Sequence, residues 1–400
     1  MKNHTDLYRE YAIIALFIVT LISSCTNNQT YENLEPRQAK NENIEFEIED
    51  VSIAIDTITY PSYSKFQNAF FNDSSFLVGF SGRMNSLDFF NLSSKEFSTH
   101  VKIDRKGPNG IDHINGFYVH NWDSIFIFSF NRLALIDSAG TVRSNYDLFE
   151  LGIQDFEGDA SIGVDLGFDL HYSKQRNSLF VKYVPKDVPF GSKEFYSKPF
   201  MAELSLDSLH LKTIPFEYSI YIRDNYLASM DMPHVSFDGS MIFCCFKGES
   251  NIYSFDLENG RTKEYGGRSS NSKPFAAPLD RDASREEKSR HRVESASYFN
   301  LRYDPYRDLY FRLHFGDIKH KSSDDMEDVN ATYREKGLYL MIFNSELELI
   351  KEVALEKYTY LPEFYGLSEE GIFLNANHDM NLDYEGKYAK FKLFRITYEN

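Results

Sequence analysis

Short apolar strands alternate with polar turns along most of this chain, and hydrophobic residues rarely recur at helical spacing. One unit occurs six times: a tight polar turn, then a small or acidic residue, then a strongly apolar strand. Its copies are NDSSFLVGF (72–80), NWDSIFIFSF (121–130), QRNSLFVKYV (175–184), DGSMIFCCF (238–246), YRDLYFRLHF (306–315) and EEGIFLNAN (369–377). Because alternating, β-branched and aromatic runs between turns are typical of strands, the pattern predicts an all-β chain built from an internal repeat.

A second strand follows each copy and ends in a polar turn, and five of these turns lead into a further strand, as at Val142–Leu148. With the strand that precedes each tight turn, the unit has four strands. Positions equivalent to Ser75 recur at intervals of 49 to 68 residues. Four strands repeated six times are typical of a β-propeller. An open β-sandwich of two domains is the alternative.

The two ends of the repeat array complement each other. The last unit lacks its outermost strand, whereas Ile44–Ile58 is an alternating strand without a unit of its own. Pairing of Ile44–Ile58 with Lys390–Thr397 would supply the missing strand and remove two exposed edges. We therefore predict a six-bladed β-propeller over residues 44–400, closed by pairing of the N-terminal strand with the last blade.

The long loops of such a propeller would all lie on one face. If the strands of a blade are named A to D from the axis outward, the A–B and C–D turns lie on one face, and both kinds are short here. The B–C and D–A connections form the opposite face, here termed the loop-rich face. Its long segments are 104–114, 150–164, 185–198, 217–233, 266–295, 316–336 and 377–387. Since function concentrates on loops held by a rigid scaffold, this face is the predicted docking surface, although drift in loop length would give the same asymmetry.

The N-terminus carries a separate signal. An apolar run of 12 residues, Tyr11–Ile22, leads into Ile22-Ser23-Ser24-Cys25, which resembles the lipobox of bacterial lipoprotein signal peptides. The run is too short to span a bilayer, which takes about 20 residues. We predict that residues 1–24 are a signal peptide and that residues 25–43 are a lipidated Cys25 followed by a flexible tether. Lipidation would anchor the protein to a membrane of the cell envelope, on the periplasmic side or at the cell surface. An uncleaved anchor or a chance cysteine is the alternative.

The net charge argues against one class of partner, and the cysteine content argues against disulfides and a cysteine metal site. Acidic residues outnumber basic ones by 60 to 43, and the formal net charge is −17. This charge opposes binding to nucleic acid, so no nucleic-acid partner is predicted. After Cys25 only Cys244 and Cys245 remain. Adjacent strand residues point to opposite faces, so we interpret these two as small buried hydrophobic residues rather than as a disulfide or metal pair.

The sequence contains no strong catalytic motif such as HExxH, GxSxG, a P-loop or paired CxxC. It does contain a Gly-rich basic turn in which Arg105, Lys106 and Asn109 are candidate binding residues. The backbone amides and two cations of this turn could hold a carboxylate or phosphate. A tight turn between blades explains its glycines equally well. The charged segment 267–295 could likewise be a lid over the axis, or simply a solvated loop.

Histidines supply the remaining candidates. His113, His291, His314, His320 and His378 could lie on or near the loop-rich face, and Asp379 follows the last of them. His113, His291, His378 and Asp379 are therefore included as candidate binding residues. None of the histidines has a close metal-ligand spacing to another, so no metal site and no cofactor is predicted.

Two stretches carry a family resemblance. KGPNGI (106–111), followed by GFYVHNWDSIFIFS, and YFNLRYDPYRDLYFR (298–312) resemble the domain-of-unknown-function family 4221. The resemblance covers most of the mature chain and implies an envelope lipoprotein with a six-bladed, TolB-like propeller. It implies no established activity, so no catalytic residue is assigned. Tyr303, Asp304, Tyr306 and Arg307 match the second stretch but fall on the short-turn face, and we interpret them as structural.

Three functions remain open. The first is a lipid-anchored binding module whose loop-rich face meets an envelope protein, a peptide or a glycan. The second is a hydrolase or lyase at the mouth of the axial channel, which would be favoured by convergence of three or more of His113, His291, His314, His378 and Asp379 on one point. The third is a structural component of the envelope.

Overall fold

The structure, a computed structural model, describes residues 34–40, 43–56, 59, 63–107, 109–130, 132–148, 160–164, 167–319, 332–362, 365–378, 380 and 387–399. The strands of the first half are β1 (Asn43–Ala54), β2 (Lys65–Phe71), β3 (Ser74–Ser81), β4 (Ser86–Asn91), β5 (Glu96–Lys102), β6 (Gly116–Asn121), β7 (Ser124–Ser129), β8 (Arg132–Ile136), β9 (Val142–Asp147), β10 (Ala160–Gly163), β11 (His171–Ser173), β12 (Ser178–Pro185), β13 (Met201–Ser205) and β14 (Leu211–Ile214). Those of the second half are β15 (Pro233–Asp238), β16 (Met241–Phe246), β17 (Ile252–Asp256), β18 (Thr262–Tyr265), β19 (Ser297–Asp304), β20 (Leu309–Phe315), β21 (Leu338–Phe343), β22 (Leu349–Ala354), β23 (Tyr365–Ser368), β24 (Gly371–Asn375) and β25 (Tyr388–Glu399). The helices are α1 (Lys193–Tyr196), α2 (Ile220–Asp224), a 3₁₀ helix (Ala228–Asp231) and α3 (Arg285–Glu294).

These strands form six antiparallel sheets, which confirms the predicted six-bladed propeller. In strand order the sheets are β2-β3-β4-β5, β6-β7-β8-β9, β10-β12-β13-β14, β15-β16-β17-β18, β19-β20-β21-β22 and β1-β25-β24-β23. The short strand β11 pairs with β12 in the third sheet. Each apolar strand of the predicted repeat is the second strand of its sheet, and it is buried because both of its faces meet neighbouring sheets.

The sixth sheet takes its outermost strand from the N-terminus, as predicted. β1 pairs antiparallel with β25 from Asn43 opposite Glu399 to Ala54 opposite Tyr388. Ile44 and Phe46 pack with residues of the fifth sheet, whereas Val51 and Ile53 pack with residues of the first sheet. The two halves of the strand therefore bury opposite faces, because side chains alternate along a strand. The strand ends at Ala54, four residues before the predicted Ile58.

Polar side chains on the innermost strands join each sheet to the next. Gln67 of β2 accepts a hydrogen bond from Val119 N of β6 at 2.7 Å. On its other side, Asn68 accepts one from Leu367 N of β23 at 2.9 Å. Equivalent bonds elsewhere run from Asn300 to Val235 O and from Arg302 to the Tyr365 hydroxyl. Because a strand's own ladder uses its backbone groups, these amide and guanidinium groups supply the hydrogen bonds between sheets.

The turn matched to the family resemblance has a structural role, as we interpreted it. Tyr306 and Ser75 hydroxyls lie 2.5 Å apart, which ties the fifth sheet to the first. Arg307 pairs with Asp304 at 2.8 Å and also donates to Ser368 O at 3.3 Å. This turn therefore fastens three sheets together on the short-turn face.

The chain before β1 is packed against the fifth sheet. Gln38 forms a parallel bridge with Leu349, and Ala39 N donates to Leu349 O at 3.1 Å. Glu35 forms an ion pair with Arg268 at 2.5 Å. Residues 34–40 of the predicted 25–43 tether thus lie along the fifth sheet at β22, while the signal peptide and Cys25 lie outside the described residues.

Cys244 and Cys245 are buried and unbridged on β16, as expected for small hydrophobic residues.

The predicted asymmetry of loop lengths between the two faces is also present. The long connections 186–200, 215–232, 266–296 and 376–387 all join the B–C or D–A ends of strands. Within the part of the chain that the structure covers, no helix has the length and apolarity to cross a membrane.

Candidate functional site

A cavity of about 510 Å³ opens on the loop-rich face where three long connections meet. These are the segments 186–200, 215–232 and 266–296. The cavity is lined by Lys182, Val184, Phe190, Phe195, Tyr218, Tyr226, Ala228, Ser229, Asp231, Met232, Pro233, Arg285, Lys288, Ser289 and Arg292. A volume of this size lies within the range of small-molecule sites, roughly 300–1,000 Å³.

The floor of the cavity is aromatic. Phe195 and Tyr218 are buried, and their rings lie 6.1 Å apart. Tyr218 stacks on Phe246 behind it with a centroid separation of 5.6 Å. Phe190, by contrast, is 73% exposed at the rim and meets the ring of Phe195 at 4.9 Å. An exposed aromatic ring beside a buried one provides apolar surface for a ligand.

One wall of the cavity is the helix α3. Its first turn is fixed by a capping box, in which Ser284 and Glu287 bond each other's backbone N–H groups. Arg285, Lys288, Ser289 and Arg292 line the cavity at positions i, i+3, i+4 and i+7. Residues at this spacing share one face of a helix, so α3 presents three cationic side chains to the cavity.

The three connections hold one another in place. The Tyr221 hydroxyl donates to Ala276 O at 2.6 Å, and Leu279 N donates to Tyr226 O at 2.8 Å. Arg281 donates to Gly191 O across the same junction. The cavity therefore exists before any ligand arrives, because its walls are bonded to each other.

Asp231 is the acidic residue of the cavity lining. It is 3% exposed, and its Oδ2 accepts a hydrogen bond from the Tyr196 hydroxyl. Its Oδ1 has no hydrogen-bond partner within the described chain. Burial raises the pKa of Asp231, against the smaller opposite effect of the Tyr196 hydrogen bond.

A second buried carboxyl supports the segment that carries Tyr218. Glu249 accepts hydrogen bonds from Ser219, the N-cap of α2, and from Tyr253. Burial raises the pKa of Glu249 to about 7. Glu249 is not part of the cavity lining, so we assign it a supporting role.

The predicted basic turn lies on the β5–β6 connection. Arg105 forms an ion pair with Asp112 at 3.2 Å and donates to Gly82 O at 2.6 Å, while Lys106 and Asn109 are exposed. Gly107 has φ +94°, a left-handed conformation that favours glycine. His113 is exposed, with its ring nitrogen 3.5 Å from the same Asp112. The turn therefore carries its own counter-charge, and its anion-binding role stays a prediction.

The other candidates lie on separate elements. His291 is on α3, and its Nε2 lies 2.6 Å from Ala277 O. His378 follows β24 and borders a second cavity of about 340 Å³ that Lys336 and Tyr358 also line. His314 is fully buried between the rings of Tyr298 and Tyr339. Asp379 lies outside the described residues.

No group of three or more His, Cys, Asp or Glu side chains is arranged to hold a metal ion in the described ranges. The convergence of histidines that would favour a hydrolase or lyase is thus not found among them. The residues that line the main cavity were not singled out from the sequence, although segment 267–295 was. The sequence does contain a signal for the helix, because Ser284 and Glu287 have the spacing of a capping box. Arg285, Lys288 and Arg292 then recur at a spacing that places them on one face of that helix.

Comparison with known proteins identifies the family but no activity. The model of the family described as Domain of unknown function (DUF4221) matches residues 42–354. None of the curated proteins matches the chain. A crystal structure of a DUF4221 family member from Bacteroides vulgatus is 17% identical and has a TM-score of 0.74, covering 88% of this chain and 98% of that one.

A second solved structure, of a putative exported protein from Bacteroides fragilis, is 9% identical with a TM-score of 0.54. The match covers 91% of this chain and 99% of that protein. At these identities the two structures establish only a shared fold. Membership of the family rests on the family model, which covers most of the described propeller. The chain belongs to the DUF4221 family of proteins of unknown function.

Proposed function

We propose that this chain is a lipid-anchored binding protein of the cell envelope, whose ligand enters the cavity on its loop-rich face. The observation that carries the proposal is the preformed cavity of about 510 Å³, which has aromatic and cationic walls from three interlocked connections. Its ligand is a small molecule, or the end of an envelope protein, peptide or glycan that docks on this face. Rigid walls favour binding because little ordering is needed when the ligand arrives.

The envelope location rests on the sequence before the propeller. The apolar run Tyr11–Ile22 before Cys25 supports export and lipidation, and the similar Bacteroides fragilis structure is described as a putative exported protein. Leu34, where the described chain begins, follows Cys25 by nine residues. A fully extended chain of that length reaches about 30 Å, so a lipidated Cys25 would hold the propeller close to the membrane surface.

The cavity can be tested with a neutral fluorescent probe, N-phenyl-1-naphthylamine, which brightens in apolar surroundings. We expect saturable binding of one probe per chain, and loss of that binding in Ser229→Trp, because the indole would fill the cavity. Ser229 is exposed at the cavity wall, so the substitution leaves the core untouched. Fluorescence titration of both proteins measures the effect.

Ser94→Trp is the matched control, since Ser94 is exposed in the β4–β5 turn on the opposite face. This variant should bind the neutral probe as the unsubstituted chain does. Equal binding by the Ser229→Trp variant would contradict the proposed site.

Lipidation is testable by metabolic labelling with an alkynyl fatty acid in a bacterial host. We expect label on the unsubstituted chain and on Cys244→Ser, but none on Cys25→Ser, because Cys244 is buried in β16 and only an N-terminal cysteine accepts the acyl chains. In-gel fluorescence of the purified proteins reads out the result. Label retained by Cys25→Ser would refute the anchor.

A further inference from the structure

The charges around the cavity are unbalanced in an otherwise acidic protein. Its lining holds four cationic side chains and a single carboxyl, whereas the whole chain has a formal net charge of −17. Within the described chain no carboxylate forms an ion pair with Arg285 or Arg292, and both are exposed at the cavity. Elsewhere on the surface, arginines such as Arg105, Arg223 and Arg268 are paired with carboxylates.

Lys288 is already engaged and Lys182 lies near Asp231, which leaves the arginines as the anion-binding groups. The Lys288 ammonium donates to Arg281 O at 3.2 Å and lies 5.8 Å from the centre of the Tyr226 ring. Burial raises the pKa of the Asp231 carboxyl, and Lys182 of β12 lies close enough to lower it by a smaller amount. The Asp231 carboxyl is buried and accepts a hydrogen bond from the Tyr196 hydroxyl, so it is not a partner for either arginine.

We propose that the cavity binds a small amphiphilic anion: an aromatic or aliphatic body with one carboxylate or sulfonate group. The anionic group lies against Arg285 and Arg292 at the rim. The apolar body occupies the floor between Phe195 and Tyr218, with Phe190 covering its outer side. This assignment rests on the proposed function and adds the chemical class of the ligand.

Both parts of the ligand are needed for this match. A guanidinium group can donate two parallel hydrogen bonds to two oxygens of a carboxylate or of a sulfonate. A partly enclosed apolar wall lowers the local dielectric constant and so strengthens this contact. An inorganic anion would leave the aromatic floor unfilled. A neutral apolar ligand would leave two arginines without a counter-charge.

The test compares two probes that differ chiefly in one sulfonate group: 8-anilinonaphthalene-1-sulfonate and the neutral N-phenyl-1-naphthylamine. With the full chain, we expect the sulfonate probe to bind more tightly than the neutral one. In Arg285→Gln/Arg292→Gln the Kd of the sulfonate probe should rise about tenfold, as two partly exposed charge contacts imply. The Kd of the neutral probe should change by less than about twofold, because the apolar floor is intact.

The matched control is Arg261→Gln/Lys263→Gln, which removes two exposed cations at β18 and gives the same net charge. It should leave both Kd values unchanged. If the sulfonate probe binds no more tightly than the neutral one, or if Arg285→Gln/Arg292→Gln affects both probes equally, the anionic class is wrong while the cavity stands as a binding site. If neither probe binds the unsubstituted chain, the proposed function fails as well.

Discussion

Replacement of Ile53 by Asp should destabilise the propeller by on the order of 5 kcal/mol, because it buries a charged group and removes a core side chain. Ile53 is 1% exposed and lies opposite Ala389 on β25. Domains of this kind are stable by about 5–15 kcal/mol, so the loss is a large part of the total. Urea denaturation followed by tryptophan fluorescence measures it.

The chain's single tryptophan makes this experiment informative about closure of the ring. Trp122 lies in the β6–β7 turn and packs against Phe71 and Phe89 at centroid distances of 5.0 and 4.8 Å, two sheets away from β1 along the ring. If β1 closes one cooperative structure, the Ile53→Asp variant should shift the Trp122 transition as much as it shifts the far-UV circular dichroism transition.

The neighbouring position supplies the control. Ser52 is exposed on the same strand, so Ser52→Asp adds the same charge to the solvent face and should change the free energy of unfolding by less than about 0.5 kcal/mol. A Trp122 transition that stays in place in Ile53→Asp would mean that the sixth sheet unfolds alone. The N-terminal strand would then not stabilise the ring as a whole.

The number of sheets and the pairing of the two termini could be predicted because both follow from local patterns, whereas the extra strand β11 of the third sheet was not predicted. The alternation in β1 and the missing outer strand of the last unit are visible in the sequence, and β-sheet edges need partners. The bonds between sheets were not predictable in this way. Gln67 and Asn68 are two ordinary polar residues of β2, and only the fold places Val119 and Leu367 within hydrogen-bond distance of them.

The candidate site was predicted only as a face and a segment. Loop lengths identify the loop-rich face, and the charged segment 267–295 is predicted to be either a lid over the axis or a solvated loop. The structure instead makes Arg285–Glu294 a helix that forms a wall, because a capping box and contacts to Tyr226 fix it beside the cavity. Phe190 and Asp231 belong to connections that meet α3 only after folding, so no local pattern relates them.

The presence of histidines in the sequence did not identify a binding or catalytic site, and His314 shows the physical reason. His314 is buried between Tyr298 and Tyr339, with centroid distances of 5.2 and 5.0 Å, and burial lowers its pKa well below the usual range. A neutral imidazole between two aromatic rings packs as a flat apolar group. The spacing of histidines along a sequence does not distinguish this packing role from a ligand role.

The Arg312 guanidinium beside this stack should be the polar group on which the fifth sheet depends most strongly. Arg312 is fully buried on β20, where Nη1 donates to Ser250 O at 2.9 Å and Nη2 donates to Gly267 O. Its guanidinium also lies 4.7 Å from the centre of the Tyr298 ring. One side chain thus ties β20 to two connections of the fourth sheet.

Arg312→Met should lower the free energy of unfolding by about 3–5 kcal/mol. Methionine fills a similar volume but has no donor, so the carbonyls of Ser250 and Gly267 would lose the hydrogen bonds that Arg312 donates to them. Replacement of a buried ion pair by apolar residues is often tolerated because both charges leave together. Here the acceptors are backbone groups and remain. Urea denaturation of the variant measures the loss.

Three further substitutions test the charge of Arg312, the effect of losing an exposed arginine and the space at Gly267. Arg312→Lys keeps the charge but loses the planar fork, so it should recover less than half of the stability, because a single ammonium cannot reach both carbonyls. Arg261→Met removes an exposed arginine from the turn before β18 and should cost less than about 0.5 kcal/mol. Gly267 has no room for a side chain, since an added Cβ would overlap Ser250 O, so Gly267→Ala should destabilise the same junction. If Arg312→Met were as stable as the unsubstituted chain, the bonds from Arg312 to the two carbonyls would add nothing to stability. Packing and the remaining bonds between the fourth and fifth sheets, such as the one from Asn300 to Val235 O, would then be enough to join them.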